Sequence, residues 1–388
     1  MNFQPADRIA GFKSYYFAIL SEKIHNMKQA GKDIIRLDIG SPDLPPTQQI
    51  IDVLCESAQN KSVHGYTMHS GTLKFRKAVA QYYANRFGVK LNPINEILSL
   101  IGSKEGLFHL CQAFLNPGDL VLVPSPGYPV YSAASKIAGA KLQTFLLKAE
   151  SNYIPEFEKI PEKIAKEAKL MWLNYPNNPT GAVATLDDFR KAVEFANKYE
   201  ILLVHDAPYT DVYFDEYSPP SILEVPGANE VAIEFNSLSK TYNMAGWRVG
   251  YACGNEEIIK YLKTYKSQLD SSNFTPILEA AAYAISSDQT WLIERNRVYA
   301  ERRDIIVEAL TRVGFNVDSP SASLYVWVQA PKGYKNALDF CQQCLEQINV
   351  SIAPGHLYGK ENENYIRISL GCKTERVKEA MDRLVNWL

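Results

Sequence analysis

The sequence predicts an α/β protein in which a mostly parallel central sheet forms a large domain and a smaller α+β domain completes the chain. Three observations carry this. Short apolar runs alternate with longer amphipathic segments through the middle of the chain, the pattern of strands joined by crossover helices. Near residue 279 the alternation gives way to a long charged helical stretch. With 388 residues, 46% hydrophobic and 22% charged, the chain can bury more than one core without disulfide staples.

The elements follow in order. Residues 1–45 do not fit the repeating pattern and are grouped with 281–388 as the small domain, leaving 46–280 as the large one. Apolar runs at 96–101, 120–124, 170–175, 201–206, 231–236 and 249–253 are the expected strands. Helical patterns lie between several of them, at 104–114, 131–138 and 186–199. The run at 120–124 ends in Pro124-Ser125-Pro126-Gly127, a strong turn signal. One long helix is expected from about 279 to 313. Strands at 324–328 and 365–370 then flank a helix at 337–348, and a helix at 375–388 follows.

Composition excludes several classes. Lysine and arginine number 41 against 43 aspartate and glutamate, so no net field draws the chain to nucleic acid or an anionic membrane. No apolar run approaches the ~18 residues of a membrane span. The first residues lack the basic start and apolar stretch of a signal peptide. A cytoplasmic protein is expected. The six cysteines, Cys55, Cys111, Cys253, Cys341, Cys344 and Cys372, are scattered and read as reduced thiols. Cys341 and Cys344 form a C-x-x-C, but within an amphipathic helix and with no second pair or His cluster. They read as structural, and no metal is expected.

Ligands of open parallel sheets bind outside the carboxyl ends of the strands. Five consecutive expected strands end in polar or aromatic residues. These are Gly102-Ser103-Lys104, Gly127-Tyr128, the segment from Asn174 through Asn178 to Gly181, Asp206-Ala207-Pro208-Tyr209, and Ser237-Leu238-Ser239-Lys240. Gly102-Ser103-Lys104 reads either as a phosphate site at a helix N-terminus or as an ordinary serine N-cap. Lys240, directly after an apolar strand and flanked by serines, suits a desolvated Schiff-base nucleophile; a lone lysine otherwise reads as a surface charge. Arg248, eight residues on, could hold a phosphate or carboxylate bidentately. Asp206 ends a buried strand, and a buried carboxylate requires a cationic partner. Tyr128 could stack on a planar ring, while Asn178 and Tyr209 supply an amide donor and a phenol. The set suits an aromatic aldehyde bearing a phosphate, a ring nitrogen and a ring oxygen, which is pyridoxal 5′-phosphate.

Tyr-Pro-Asn-Asn-Pro-Thr-Gly, Asp-Ala-Pro-Tyr and Ser-Leu-Ser-Lys-x7-Arg, in this order, resemble the class I/II aminotransferases of pyridoxal-phosphate fold type I. The resemblance covers nearly the whole chain. Ile-Gly-Ser-Lys-Glu-Gly, Pro-Gly-Tyr-Pro-Val-Tyr and Ser-Leu-Ser-Lys-Thr-Tyr-Asn-Met-Ala-Gly-Trp-Arg look like its LL-diaminopimelate aminotransferase branch. The resemblance implies that Lys240 carries the cofactor and acts as the catalytic base. Asp206 would pair with the ring nitrogen, and Tyr209, assisted by Asn178, with the ring 3′-oxygen. Tyr128 would stack on the ring. Ser103, Lys104, Ser237, Ser239 and Arg248 would hold the phosphate, joined by Tyr66 from a second subunit of a homodimer. Arg367 would clamp the substrate α-carboxylate with Gly40 closing over it. Tyr15, Asn273, Lys104 and Asn178 match further substrate positions.

The implied reaction is ping-pong transfer of an amino group between an L-amino acid and a 2-oxo acid. LL-diaminopimelate, glutamate and aspartate are the candidate donors. A C–S lyase of the same fold and a non-catalytic ligand sensor are the alternatives. The segment from His64 to His69, Gln268, Ser272, and the loop from Ala353 to Gly359 depart from the branch. These positions are expected to line the side-chain pocket. His205 is expected either to orient Asp206 or to fill the core. Most tyrosines read as packing.

Overall fold

The computed structural model describes residues 3–12 and 15–388. In chain order the strands are β1 Ile35–Arg36, β2 Ile97–Leu100, β3 Leu120–Ser125, β4 Lys141–Leu146, β5 Ala168–Leu173 and β6 Leu202–Asp206. They continue with β7 Ala232–Ser237, β8 Gly250–Gly254, β9 Tyr325–Gln329, β10 Val350–Ser351, β11 Ala353–Pro354 and β12 Tyr365–Ser369. Strands β2 to β8 form one sheet in the order β2-β8-β7-β6-β5-β3-β4. Its inner pairs are parallel, while β8 runs against both β2 and β7. The sheet therefore has six strands in one direction and one opposed. The carboxyl ends of β2, β3, β5, β6 and β7 share one edge.

All six expected runs are strands of this sheet. They are legible because strands covered on both faces read as continuous apolar runs; every residue of β7 is buried. The run at 249–253 is the opposed strand, β8. Sequence reading misses β4. As an edge strand it carries Lys141, Gln143 and Thr144 and fully buries only Phe145, so no apolar run marks it.

The single helix expected over 279–313 is two, Thr275–Ser286 and Thr290–Arg312. Side chains at the join take over the backbone groups. Asp288 accepts from Thr290 N at 3.0 Å and Thr290 Oγ1 at 2.7 Å, while Gln289 Nε2 donates back to Ala284 O at 2.9 Å. The first of these helices packs with Gln48–Gln59 and Leu73–Phe87 in a core that includes Ile50, Phe75, Tyr83 and Leu278.

The C-terminal part holds the antiparallel sheet β11-β12-β9. β1 pairs parallel with β10, which ties residues 35–36 to this part of the chain. Helices Thr290–Arg312, Ala337–Gln347 and Thr374–Trp387 cover its core of Leu324, Val326, Ile366, Ile368 and Leu384. Cys341 and Cys344 are free and lie in this core, where burial pushes both thiols up. Among the described residues no helix is long and apolar enough to cross a membrane.

Candidate active site

The shared strand edge opens into a cavity of about 390 Å³. Lys240, Asp206, Tyr209, Asn178, Tyr128, Ser103, Lys104, Ser237, Ser239, Arg248, Tyr15, Gly40 and Arg367 line it. Of the residues given cofactor or substrate roles from sequence, Asn273 and Tyr66 stand outside this lining.

One end of the cavity is built for an anion. β2 turns directly into the helix Ser103–Phe114, whose first N–H groups have no intrahelical partner. Gly102, not Ser103, is the N-cap, with φ +81°, so the reading of Ser103 as a capping serine is corrected. A Cβ on Gly102 would overlap the Arg248 guanidinium. Arg248 itself is left-handed at φ +56°, and its Nη1 donates to Ala245 O at 2.8 Å. Asn273 sits behind it and donates Nδ2–H to Arg248 O at 2.7 Å. Ser237 Oγ accepts from Ser239 N at 3.2 Å. Helix N–H groups, three hydroxyls and a guanidinium converge, which suits a phosphate dianion.

Asp206 lies at the floor, 3% exposed. Its Oδ2 accepts from Tyr131 at 2.9 Å, whereas Oδ1 is buried with no partner. Burial pushes the carboxyl up to about 6, against the pull of the Tyr131 hydrogen bond and the charge of His205. Asn174 Nδ2 fixes the Asp206 backbone oxygen at 2.6 Å. Tyr131 is held by stacking on Trp172, centroids 5.0 Å apart. Neighbouring residues on a strand face opposite ways, so His205 does not orient Asp206 by a hydrogen bond. Its Nδ1 meets Glu234 Oε2 at 2.8 Å and its Nε2 meets Tyr175 O at 3.0 Å.

β7 turns at Ser237 into the short helix Leu238–Thr241, which carries Lys240 into the cavity. Its Nζ donates to Gly40 O. Burial, then the charges of Arg367 and Arg248, bring the amine down to about 8. Arg367 Nη1 donates to Asn178 Oδ1 at 2.9 Å and Nη2 to Asp38 O at 2.6 Å, and its Nε is buried without a partner. The Tyr325, Tyr358 and Phe17 rings surround the guanidinium at 4.1, 5.0 and 5.9 Å. Lys104 stands at the rim, 5.3 Å over the Tyr15 ring, with burial and then Arg248 lowering its amine.

Tyr131, Asn174, Tyr325, Phe17 and Asp38 also line the cavity and escaped sequence reading. Asn174 opens the strand-end segment that runs to Gly181, and Tyr131 closes Pro-Gly-Tyr-Pro-Val-Tyr, so both stand in motifs that mark the site. Tyr325 carries no signal beyond an apolar strand. Of the branch departures expected in the side-chain pocket, Tyr358 alone lines the cavity. His356 stands edge-on to Tyr16, and His69 Nδ1 meets Asp270 O at 2.6 Å.

An anion cup, a lone buried carboxylate oxygen and a low-pKa lysine on one edge of a mostly parallel sheet define a Schiff-base site of pyridoxal-phosphate fold type I. Over residues 32–384 the chain matches the family described as aminotransferase class I and II, and it belongs to that family. It is 45% identical over 381 residues to the LL-diaminopimelate aminotransferase of Moorella thermoacetica, covering 98% of this chain and 97% of that one. The substrate-bound BacF structure from Bacillus subtilis superposes with a TM-score of 0.95 at 36% identity, over 100% and 98% of the two chains. A Thermus thermophilus aspartate aminotransferase double mutant gives 0.93 at 26% identity over 100% of both. The chain is a pyridoxal-phosphate-dependent aminotransferase. The cofactor suits the residues present. Asp206 Oδ1 lacks the partner that a ring N–H would supply, and the Arg248 guanidinium takes the space that a Gly102 side chain would fill, at the N-terminus of the helix.

Proposed function

We propose that this enzyme takes the amino group of LL-diaminopimelate and passes it to a 2-oxo acid, with Lys240 as the proton-transferring base. The observation that carries this reading is that one cavity holds the Lys240 amine, the unpartnered Asp206 oxygen and the Arg367 guanidinium. The curated relatives' name supports the donor. That donor places the enzyme in lysine biosynthesis. A second reading, glutamate or aspartate as donor, is favoured by the lining. Its carboxylates are Asp38 and Asp206; Asp38 is paired with Arg36 at 2.6 Å and Asp206 faces the cofactor, while Lys104 is a cation at the rim.

When bound, pyridoxal 5′-phosphate supplies an aldehyde for amines and a protonated ring that withdraws electrons from the substrate Cα. Asp206 holds the ring nitrogen's proton, because its ionised form gains a cation in place of bare desolvation. Tyr209, with Asn178, would donate to the ring 3′-oxygen, and Tyr128 would pack on the ring. Ser103, the Lys104 backbone, Ser237, Ser239 and Arg248 would hold the phosphate. Arg367 holds the substrate α-carboxylate, which aligns the Cα–H with Lys240 Nζ. The amine lowered to about 8 removes that proton near neutral pH and returns it on the other side of the transfer.

Tyr66 completes the phosphate site of the partner in a homodimer. This is supported by its 98% exposure and its place outside the lining of its own cavity. Asn273 acts by fixing Arg248. A division into a large domain over 46–280 and a small one over 1–45 with 281–388 is supported by the β1–β10 pairing, while the whole helix Thr275–Ser286 packs with the large domain. Free thiols support the cytoplasm as the compartment.

The test is an absorbance scan of the cofactor-loaded enzyme against single amino acids without any oxo acid. LL-diaminopimelate is expected to discharge the yellow lysine–cofactor band fastest, and Lys240→Ala to lose both band and turnover. Discharge by glutamate or aspartate alone gives the second reading. Near-wild-type turnover by Lys240→Ala ends the assignment of Lys240.

A further inference from the structure

We propose that Tyr325 is a positioning residue that couples the carboxylate clamp at Arg367 to the hydrogen bond Tyr209 makes to the cofactor. The inference rests on the role given to Tyr209 above. Tyr325 opens β9, 2% exposed, and pairs across to Ser369 of β12, the strand that carries Arg367. Its hydroxyl lies 2.7 Å from the Tyr209 hydroxyl. Its ring lies 4.1 Å from the Arg367 guanidinium. Its hydroxyl end abuts Gly40 so closely that a Cβ there would overlap it, and Gly40 O is the acceptor for Lys240. One side chain thus touches the partners of the ring oxygen, the substrate carboxylate and the lysine.

The hydroxyl pair has a defined direction once the cofactor is bound. A phenol owns one proton. Tyr209 spends its proton on the anionic ring oxygen, the stronger acceptor, so Tyr325 donates to Tyr209. A hydroxyl that accepts a hydrogen bond becomes a better donor. Tyr325 therefore strengthens the Tyr209 bond, which stabilises negative charge on the ring oxygen and loosens the proton of the lysine–cofactor linkage. The titratable groups around Tyr325 are Tyr209, Arg367, Tyr15, Tyr128 and Tyr358. Among the described residues Tyr209 is its side chain's hydrogen-bond partner. Burial, then Tyr325, keeps the Tyr209 phenol well above its ordinary range, so it holds the proton to be donated.

The test titrates the cofactor absorbance of holoenzyme with pH, alongside the affinity of an unreactive dicarboxylate, succinate. Tyr325→Phe keeps the ring under Arg367 and removes the hydroxyl. It is expected to raise the titration midpoint by about 0.5–1 pH unit, a three- to tenfold tighter proton, while succinate affinity stays within about twofold, since the ring–guanidinium contact is kept. In a Tyr209→Phe background the same change should move the midpoint no further. Tyr325→Leu should also weaken succinate about tenfold, through loss of that contact. A role in packing alone lowers the melting temperature and leaves the midpoint in place. An unmoved midpoint in Tyr325→Phe, or an equal shift with and without Tyr209, overturns the coupling. A wild-type enzyme with no cofactor band overturns the assignment of Lys240 as well.

Discussion

Asp206 and Lys240 are each held in the protonation state their burial opposes, and that conflict is measurable one residue at a time. For Asp206 the folded pKa, about 6, lies above the ordinary 3.8. The folded state then binds a proton the unfolded state has released, so stability rises as pH falls between the two values. Above pH 6 the cofactor-free protein carries a buried charge at a cost of up to about 3 kcal/mol. Asp206→Asn should therefore raise the melting temperature of cofactor-free protein at pH 8. The gain should shrink as pH falls through 6 and vanish near 4, while turnover is lost at every pH. Thermal melts across that range check it, and a gain independent of pH refutes the charge argument. For Lys240 the pH dependence runs through reactivity. At pH 7 about one amine in ten is neutral at a pKa of about 8, against about one in three thousand at 10.5. Stopped-flow capture of pyridoxal phosphate should accelerate with pH and level off above about 8; a rate still climbing to pH 10 would mean an ordinary lysine. Both residues were legible in sequence through their context: Asp206 ends a buried strand, where a carboxylate requires a cationic partner, and Lys240, which alone reads as a surface charge, follows a buried strand in a serine-rich turn. Tyr325 was not, since a tyrosine in an apolar strand looks the same whether it packs a core or faces a ligand.

At the scale of elements, the site depends on how strands turn into helices. β2 must pass into its helix within two residues while leaving room for Arg248, and Gly102 meets both demands. Gly102→Ala would add backbone strain at φ +81° and a Cβ against the guanidinium. Fluorescence titration with pyridoxal phosphate should show affinity weakened about tenfold or more, with about 1 kcal/mol of stability lost to the backbone alone. Gly314→Ala is the control. It shares a positive φ, +89°, but has nothing within 4 Å, so it should cost similar stability and leave cofactor affinity unchanged. Equal affinities for all three proteins would show that the cup tolerates a methyl group. Elements were legible where burial on both faces wrote a continuous apolar run, as in β5, β6 and β7. They were not where the signal is local and polar. β4 is an exposed edge, and the helix break at 287–289 is made by the side chains of Asp288 and Gln289, with neither glycine nor proline to mark it.

At the scale of the molecule, the question is what completes the site. The loop carrying Tyr66 is tied to the segment at 268–275 through Thr67 Oγ1 and Thr275 Oγ1 at 2.8 Å and through His69 to Asp270 O. Together they present Tyr66, Met68, Leu269 and Phe274, exposed by 98, 67, 55 and 40%. An apolar patch of this kind is costly to leave in water, and the proposed twofold homodimer would cover it. Composition gave no hint of this surface, because scattered apolar residues look alike until the fold gathers them. The proposed geometry makes a prediction that a single chain cannot satisfy. Tyr66→Phe and Lys240→Ala each impair both sites of their own homodimers. In a hybrid of the two, one site has both defects. The other combines an intact Lys240 with an intact Tyr66 from its neighbour. Mixing equal amounts, with exchange of subunits, should restore about a quarter of wild-type activity, since half the dimers are hybrids and each has one good site. If Tyr66 serves the cavity of its own chain, no hybrid site is intact and the mixture shows only the average of the two parents.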